Sequence, residues 1–282
     1  EGEEKIHAMM EDYEGVIIWD LPSQIRNRYL KYCFSHSIRC YMSPKISDII
    51  LLGTDRIHLF DTPLLMCRNQ GLSMEQRAAK RVLDIIVSGL GIIVSSPIML
   101  IIAIAVKAYD GGPVFYLQDR LTYQGKEFRI RKFRSMCVDS EKNGARLASK
   151  HDSRITPVGH VLRNLHLDEL PQLFNVFMGD MSLVGPRPER DVIMQEYEQE
   201  IPEFHYRLKV KAGLTGYAQV YGKYNTTPYD KLKLDLFYIE NYSFLLDIKL
   251  LFMTVKIFFQ KEVSEGVDDN QKNALKDSED KK

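Results

Sequence analysis

The longest apolar run of the chain extends from Val82 to Val106, and basic residues flank it on both sides. A straight helix of this length would be about 37 Å long, enough to cross a bilayer. Ser96 and Pro97 interrupt the run near its middle, where a proline kinks a helix. Because Lys80 and Lys107 place positive charge at both ends, we expect both ends on the cytoplasmic side, as in a re-entrant helix over residues 82–106. A kinked transmembrane helix is the alternative.

A second helical pattern follows the adjacent carboxylates Asp168 and Glu169. Apolar residues recur there at helical spacing, at Leu170, Leu173, Phe174 and Phe177. Pro171 suits only a first turn, so Asp168 is predicted at or near the N-cap of this helix. In one interpretation Asp168 caps the helix and Glu169 complements its dipole. In the other the pair carries chemistry, and the N-terminal turn must present both side chains, since adjacent residues cannot share one helix face.

The pattern predicts two domains. Residues 1–67 combine strand-like runs at 15–20, 37–41 and 49–52 with a helix at 23–33, which indicates a partial α/β domain. Its role is open between a structural module and a regulatory or homodimerising one. Residues 68–80 are a predicted linker, 81–262 a second domain, and 263–282 a disordered tail. Within the second domain, residues 244–259 suit a helix lying in the membrane interface, with a core helix as the alternative.

The predicted fold class is therefore α+β. A mostly helical, membrane-associated domain with a re-entrant membrane helix and interfacial amphipathic helices follows the partial α/β domain. The chain has 38 basic and 38 acidic residues, which does not indicate a nucleic-acid-binding protein. Residues 120–150 are locally basic, which suits an anionic ligand. The four cysteines lack metal-binding spacing. The chain begins with Glu1, not Met, so we expect a fragment of a longer protein.

Several basic residues are candidates for phosphate contacts. Residues 125–136 alternate apolar and basic positions, so Lys132 and Arg134 share one face of an extended segment. A solvated basic edge strand is the alternative. Arg187 stands between two prolines, which restrict its backbone and suit a fixed guanidinium for phosphate. Arg163 precedes the carboxylate pair on a basic helix.

The order and spacing of these motifs resemble the bacterial sugar transferase family, the monotopic phosphoglycosyl transferases that act on polyprenyl phosphate. The resemblance covers about residues 80–259, and residues 1–67 resemble the nucleotide-binding-like domain that precedes the catalytic domain in larger members. The motifs are Ser96-Pro97, Lys132-Phe133-Arg134-Ser135-Met136, Leu167-Asp168-Glu169-Leu170, Gln172-Leu173-Phe174-Asn175, Gly179-Asp180-Met181-Ser182, Gly185-Pro186-Arg187-Pro188 and Gly213-Leu214-Thr215-Gly216. Leu121-Thr122, Ala212 and Tyr217 depart from the family pattern, which affects fine substrate contacts and not the reaction class.

The resemblance implies transfer of a sugar 1-phosphate from a UDP-sugar, a hexose such as glucose or galactose, to undecaprenyl phosphate, with release of UMP. It assigns Asp168 as the nucleophile of a covalent phosphosugar intermediate and Glu169 as a Mg²⁺ ligand. The expected place is the cytoplasmic face of the bacterial inner membrane, among membrane lipid, at the first membrane step of exopolysaccharide, capsule or O-antigen assembly. Two alternatives stay open: a membrane-bound glycosyltransferase that releases UDP, and a non-catalytic membrane scaffold.

Overall fold

The computed structural model describes residues 2–67, 71–138, 152, 154–223 and 226–258. The chain divides into two units, Glu1–Ile49 and Ile50–Lys282. Helices predominate over strands in a mixed fold, which confirms the predicted class at this level. The predicted tail, 263–282, lies outside the described residues, as do Lys142, Arg146 and Lys150 of the basic stretch. The domain and linker boundaries stay a prediction.

The first unit is built on a parallel strand pair joined by a helix. Cys33 and Tyr29 of that helix are buried against Ile18 of the first strand and Met10 of the preceding helix. Arg26 forms an ion pair with Asp48 and so ties the second helix to the third. The elements of this part are α1 (Gly2–Glu11), β1 (Gly15–Ile18), α2 (Ser23–Ser35), β2 (Arg39–Met42) and α3 (Ile46–Leu52), with β1 and β2 paired from Gly15↔Arg39 to Ile18↔Met42.

One strand prediction in this region is wrong. Residues 49–52 are the end of α3 and not a strand. The Asp48 side chain accepts the Lys45 backbone amide at 2.7 Å and fixes the start of the helix. Ile46 and Ile49 are both buried at a spacing of three. A short apolar run cannot by itself distinguish a strand from a helix, and here the flanking polar residue decides.

The second unit starts with a hairpin, β3 (Asp55–Leu59) and β4 (Thr62–Met66), and a long helix, α4 (Met74–Asp110). An antiparallel pair follows, β5 (Phe115–Leu121) and β6 (Glu127–Phe133), in register from Phe115↔Phe133 to Leu121↔Glu127. The remaining elements are α5 (Pro157–Asn164), α6 (Gln172–Met178), β7 (Ser182–Val184), α7 (Asp191–Glu200), β8 (Gly213–Thr215), α8 (Tyr217–Tyr221), α9 (Pro228–Glu240) and α10 (Phe244–Phe258), with β7 parallel to β8. Single-turn or longer 3₁₀ segments occur at Tyr123–Gly125, Leu167–Glu169 and Pro202–Lys209.

The apolar run lies within α4, which begins two turns earlier than the hydrophobic pattern predicts. Ser73 and Gln76 form a reciprocal cap, in which Ser73 Oγ accepts the Gln76 amide at 3.2 Å and Gln76 Oε1 accepts the Ser73 amide at 2.8 Å. Residues 74–80, assigned to the linker from the sequence, are therefore helical. Length and composition make α4 long enough to cross a membrane, and most of its apolar side chains are exposed.

Pro97 lies inside α4, and neighbouring serines bind the backbone beside it. Proline has no amide proton, so the carbonyl of Ile93 loses its usual helical partner. Ser96 Oγ donates to that carbonyl at 2.8 Å, and Ser95 Oγ donates to the Gly91 carbonyl at 2.6 Å. Such bonds from serine to the preceding turn bend helices. The serines thus satisfy backbone oxygen atoms at the place where the proline weakens the helix.

Other elements of the Ile50–Lys282 unit contact α4 both before and after Pro97. Near the start, the Asp84 Oδ1 atom accepts the Leu183 amide at 2.9 Å, and Arg81 donates to carbonyls at the end of α6 at 2.7 Å. Near the end, Met99, Ile102 and Val106 of α4 pack against Phe133 of β6 and Leu162 of α5. The two ends of α4 are therefore both anchored in the Ile50–Lys282 unit.

A buried polar network also fixes the N-terminal part of α4. Lys80 Nζ lies 2.6 Å from Asp247 Oδ2 and donates to the Tyr238 hydroxyl at 2.9 Å. Tyr238 in turn donates to Asp247 Oδ1 at 2.8 Å. Asp247 is buried, and Leu245, Phe252 and Val255 of the same helix are exposed. α10 therefore has a core-packed face, as one interpretation predicted, and an exposed apolar face of the kind expected at a membrane interface.

Candidate functional site

The two adjacent carboxylates lie in one 3₁₀ turn, Leu167–Glu169, immediately before α6. His166 before the turn has a left-handed backbone with φ of 52°, which separates the turn from α5. Pro171 immediately precedes α6, and neither the turn nor α6 has a side-chain cap. The interpretation in which Asp168 caps this helix is therefore wrong. The prediction that a turn at the helix entrance presents both carboxylates is confirmed.

Two cations bind Glu169. Lys132 Nζ lies 2.6 Å from Glu169 Oε1, and Arg187 Nη2 lies 2.9 Å from the same oxygen. The Lys132 and Glu169 side chains are about 20% exposed, whereas Arg187 is 49% exposed. The structure thus brings together three of the residues predicted from separate motifs. A half-exposed arginine at the edge of this group retains N–H donors that can face a ligand.

The two carboxyl groups have opposite pKa shifts. For Glu169, burial favours the neutral form, but Lys132 and Arg187 outweigh burial and hold the pKa of this carboxyl far below its usual value. For Asp168, burial raises the pKa, and the charge of Glu169 raises it further, although Lys132 and Arg163 act in the opposite direction. Neighbouring carboxyl groups with pKa values pushed apart are a common arrangement where two acids have different roles.

The backbone of β6 is fixed at the point where Lys132 leaves it. Asn175 of α6 is fully buried, and its Oδ1 accepts the Arg131 amide at 3.0 Å while its Nδ2 donates to the Arg129 carbonyl at 2.8 Å. One amide side chain therefore pairs with the strand edge as another strand would. Lys132 shares a face with the buried Ile130 because side chains alternate along a strand. It therefore points toward the carboxylate turn.

Two guanidinium groups hold the turn that carries Arg187. Arg120 Nη1 donates to the Pro188 carbonyl at 3.0 Å, and Arg207 Nη2 donates to the Arg187 carbonyl at 3.0 Å. Arg207 is itself fixed by Asp235 of α9, with Nη2 2.8 Å from Oδ2. Both side chains of this ion pair are buried. Arg187 is consequently positioned through its backbone, and its guanidinium is left to contact Glu169.

Two of the predicted phosphate contacts have other partners in the structure. Arg163 Nε donates to Ser135 Oγ at 3.0 Å, and its charge also acts on Asp168. Arg134 is buried and forms an ion pair with Asp110 at the end of α4. Arg134 thus links the end of β6 to the end of α4. The phosphate roles of these two residues stay predictions.

Four residues of the site had no predicted role. Asn175 belongs to the motif Gln172-Leu173-Phe174-Asn175, but it lies on the opposite side of α6 from the apolar stripe of Leu173, Phe174 and Phe177. The helical pattern therefore predicts a solvated side chain at Asn175, whereas the structure buries it and exposes Phe174 and Phe177. Arg120 lies at the start of the locally basic stretch 120–150 and was given no role of its own. Arg207 and Asp235 are separated by 28 residues and lie in segments rich in charge, so nothing in their local pattern distinguishes them from solvated residues.

Apolar side chains lie exposed around the site and along α4. α6, directly after the carboxylate turn, exposes Phe174, Phe177 and Met178. The exposed apolar residues of α4 are Val82, Ile85, Ile86, Leu90, Ile93, Val94, Ile98, Leu100, Ile101 and Ile104. Contiguous exposed apolar surface of this kind marks a membrane or partner contact. A charged site beside such a surface suits a substrate that has a polar head and an apolar tail.

The bacterial sugar transferase family matches residues 75–261, which include α4, the carboxylate turn, and the Arg187 turn with its supports. This chain belongs to that family. The match confirms the resemblance derived from the motifs.

Curated relatives extend the comparison beyond the family match. The chain is 44% identical over 232 residues to the UDP-N-acetylgalactosamine-undecaprenyl-phosphate N-acetylgalactosaminephosphotransferase of Aeromonas hydrophila, covering 81% of this chain and 54% of that protein. It is 38% identical over 262 residues to the UDP-glucose:undecaprenyl-phosphate glucose-1-phosphate transferase of Klebsiella pneumoniae, covering 89% and 54%. The undecaprenyl-phosphate galactose phosphotransferase of Salmonella typhimurium is 36% identical over 237 residues, covering 78% and 49%. The chain thus spans about half the length of these relatives.

Proposed function

We propose that this protein transfers a sugar 1-phosphate from a UDP-sugar to undecaprenyl phosphate and releases UMP. The observation that carries the proposal is the buried Asp168 beside a Glu169 that Lys132 and Arg187 hold ionised, next to an exposed apolar surface. The names of the relatives support the same reaction class with different sugars. A hexose such as glucose or galactose is the expected sugar.

The reaction proceeds in two displacements at one phosphorus. An Asp168 carboxylate oxygen attacks the phosphorus next to the sugar, the bond from that phosphorus to the bridging oxygen breaks, and UMP leaves with the bridging oxygen. An oxygen of undecaprenyl phosphate then attacks the same phosphorus and displaces Asp168. The covalent intermediate divides one displacement between anions into two. Lys132 and Arg187 lie where negative charge accumulates, and Arg163 adds to the positive potential at Asp168.

The donor atoms of the site fit a Mg²⁺ ion shared with the substrate. Both cations bind Glu169 through Oε1, so Oε2 is the oxygen that such an ion would use. Within the described ranges, no group of three or more His, Cys, Asp or Glu residues could hold a metal. Mg²⁺ is often bound by one or two carboxylates together with substrate phosphates and water. Bound there, Mg²⁺ would neutralise charge on the diphosphate.

We also propose that α4 enters the cytoplasmic leaflet of the inner membrane and returns. Both ends of α4 are anchored in one unit, at Lys80 and Asp84 on one side and at Met99–Val106 on the other. A helix that crossed the bilayer would place these ends on opposite faces, and one folded unit could not bind both. The re-entrant path brings the carboxylate turn to the headgroup plane, where the phosphate of undecaprenyl phosphate lies.

The test is to identify the nucleotide product. Protein in nanodiscs is incubated with Mg²⁺, undecaprenyl phosphate and a panel of UDP-sugars, and UMP is separated from UDP. We expect UMP with at least one sugar, and loss of UMP in Asp168→Asn, which preserves the size of the side chain but not a nucleophilic oxygen anion. UDP as the product would establish glycosyl transfer instead. Normal turnover by Asp168→Asn would overturn the nucleophile assignment, and no product in a folded sample would favour the scaffold alternative.

A further inference from the structure

A group of basic side chains continues from Arg187 away from the carboxylate turn. These side chains interact electrostatically with one another and with two carboxylates around the Arg187 turn. The basic residues are Arg120, Arg187, Arg190, Arg207 and Lys231, and the carboxylates are those of Glu189 and Asp235. Basic groups therefore outnumber acidic ones here, and apart from Arg187 the mechanism above uses none of them. An excess of positive charge beside a phosphate-handling centre favours a second anionic group.

Most of these cations already have protein partners. Arg120 donates to Pro188, and Arg207 binds Asp235 and the Arg187 carbonyl. Lys231 differs, because its ammonium makes no hydrogen bond or ion pair with any residue that the structure describes. Its charge is attracted by Glu189 and Asp235 and repelled by Arg187 and Arg207. The Lys231 side chain is half-buried, and this burial lowers the pKa of its ammonium.

The fold explains why Lys231 faces this group. It lies on α9 four residues before Asp235, and residues four apart share a helix face. Asp235 binds Arg207, and Arg207 holds the Arg187 carbonyl, so the same face of α9 is connected to the Arg187 turn by two contacts. Lys233 is two residues further along and is paired with Asp230 at 2.7 Å. The two lysines of one helix thus have different environments.

We infer that Lys231, together with Arg187, binds the nucleoside-side phosphate of the sugar nucleotide and of the UMP that leaves. This inference rests on the proposed function. The phosphorus that is attacked must lie at Asp168 near Lys132, so the second phosphate of the diphosphate lies beyond it. Arg187 binds Glu169 of the carboxylate turn and also interacts electrostatically with Lys231, so a phosphate held by Arg187 lies within the positive potential of Lys231. The phosphate of undecaprenyl phosphate has the same chemistry and is the alternative ligand.

The experiment compares Lys231→Gln with Lys231→Arg and with the matched control Lys233→Gln. The readouts are kcat, the KM for the UDP-sugar, the KM for undecaprenyl phosphate, and the inhibition constant of UMP. Removal of a charged hydrogen bond weakens binding by about tenfold to a hundredfold. We expect Lys231→Gln to raise the UDP-sugar KM and the UMP inhibition constant to this extent, Lys231→Arg to restore most of the loss, and Lys233→Gln to stay near wild type.

The outcomes separate this inference from the proposed function. A wild-type protein that releases no UMP refutes the proposed function. A wild-type protein that releases UMP, with UMP inhibition unchanged in Lys231→Gln or equally weakened in Lys233→Gln, refutes only the role of Lys231. A change confined to the KM for undecaprenyl phosphate would assign Lys231 to the lipid phosphate and also overturn the inference. Equilibrium binding of UMP to each variant in nanodiscs checks the same contact without turnover, and thermal unfolding verifies that each variant is folded.

Discussion

The ion pair between Arg207 and Asp235 is expected to support both stability and the position of Arg187. Asp235→Ala removes the carboxylate that lies 2.8 Å from Arg207 Nη2 and 3.0 Å from its Nε. Both side chains are at most 5% exposed, so the substitution leaves a guanidinium with little access to water. Breaking a buried pair from one side costs about 3–5 kcal/mol. Glu189 Oε1, 3.6 Å from Arg207 Nη1, offsets part of this loss, and we expect the lower end of the range.

The measurement is the apparent midpoint of thermal unfolding in nanodiscs at one scan rate, together with the KM for the UDP-sugar. For a unit of this size, about 3 kcal/mol corresponds to roughly 6–12 °C. Because Arg207 also donates to the Arg187 carbonyl, we expect the KM to rise by about tenfold or more at a temperature where the variant is folded.

Asp230→Ala on the same helix is the control. Asp230 is about half exposed and paired with Lys233, and exposed pairs contribute about 0–1 kcal/mol. If Asp235→Ala lowers the midpoint no more than this control, the buried pair does not stabilise the fold as argued. If stability falls but the KM is unchanged, the pair does not position Arg187.

Three further predictions follow from the site and its surroundings. Lys132→Met should shift the acid limb of the pH profile of kcat/KM to higher pH, since the ammonium lowers the pKa of the neighbouring Asp168 carboxyl and its loss lets that pKa rise; an unchanged limb or a downward shift would contradict this. Cysteines placed at the exposed Met74 and Tyr109, in a protein with its native cysteines replaced, should both react with a membrane-impermeant reagent from the cytoplasmic side only, and labelling from opposite sides would rule out the re-entrant path. Gly159→Ala should destabilise the protein by about 1–3 kcal/mol in thermal unfolding, because its Cβ would lie 1.9 Å from a backbone oxygen, and a neutral result would show that α5 can shift freely.

The sequence was sufficient for the family, the mixed and mainly helical fold, the long apolar helix and the turn that presents Asp168 and Glu169. These features depend on local signals: a long apolar run, a proline within it, and short motifs in a fixed order. The start of α4 was misplaced because the cap formed by Ser73 and Gln76 precedes the apolar run. Of the two interpretations of Asp168, the one in which it caps α6 is wrong, because the left-handed backbone at His166 places the pair in a separate turn and Pro171 takes the cap position.

Only the tertiary structure determined which charged residues belong to the site and which support it. Lys132 and Glu169 are 37 positions apart, and Arg207 and Asp235 are 28 positions apart, yet each pair is in direct contact. A charge pattern cannot reveal such partners, because a basic residue on a strand or helix has the same local pattern whether it faces water, a carboxylate or a ligand. Burial distinguishes them, and burial depends on how distant segments pack. For this reason the sequence indicated the chemistry, while the packing of β6, α6 and α9 decided the geometry that can perform it.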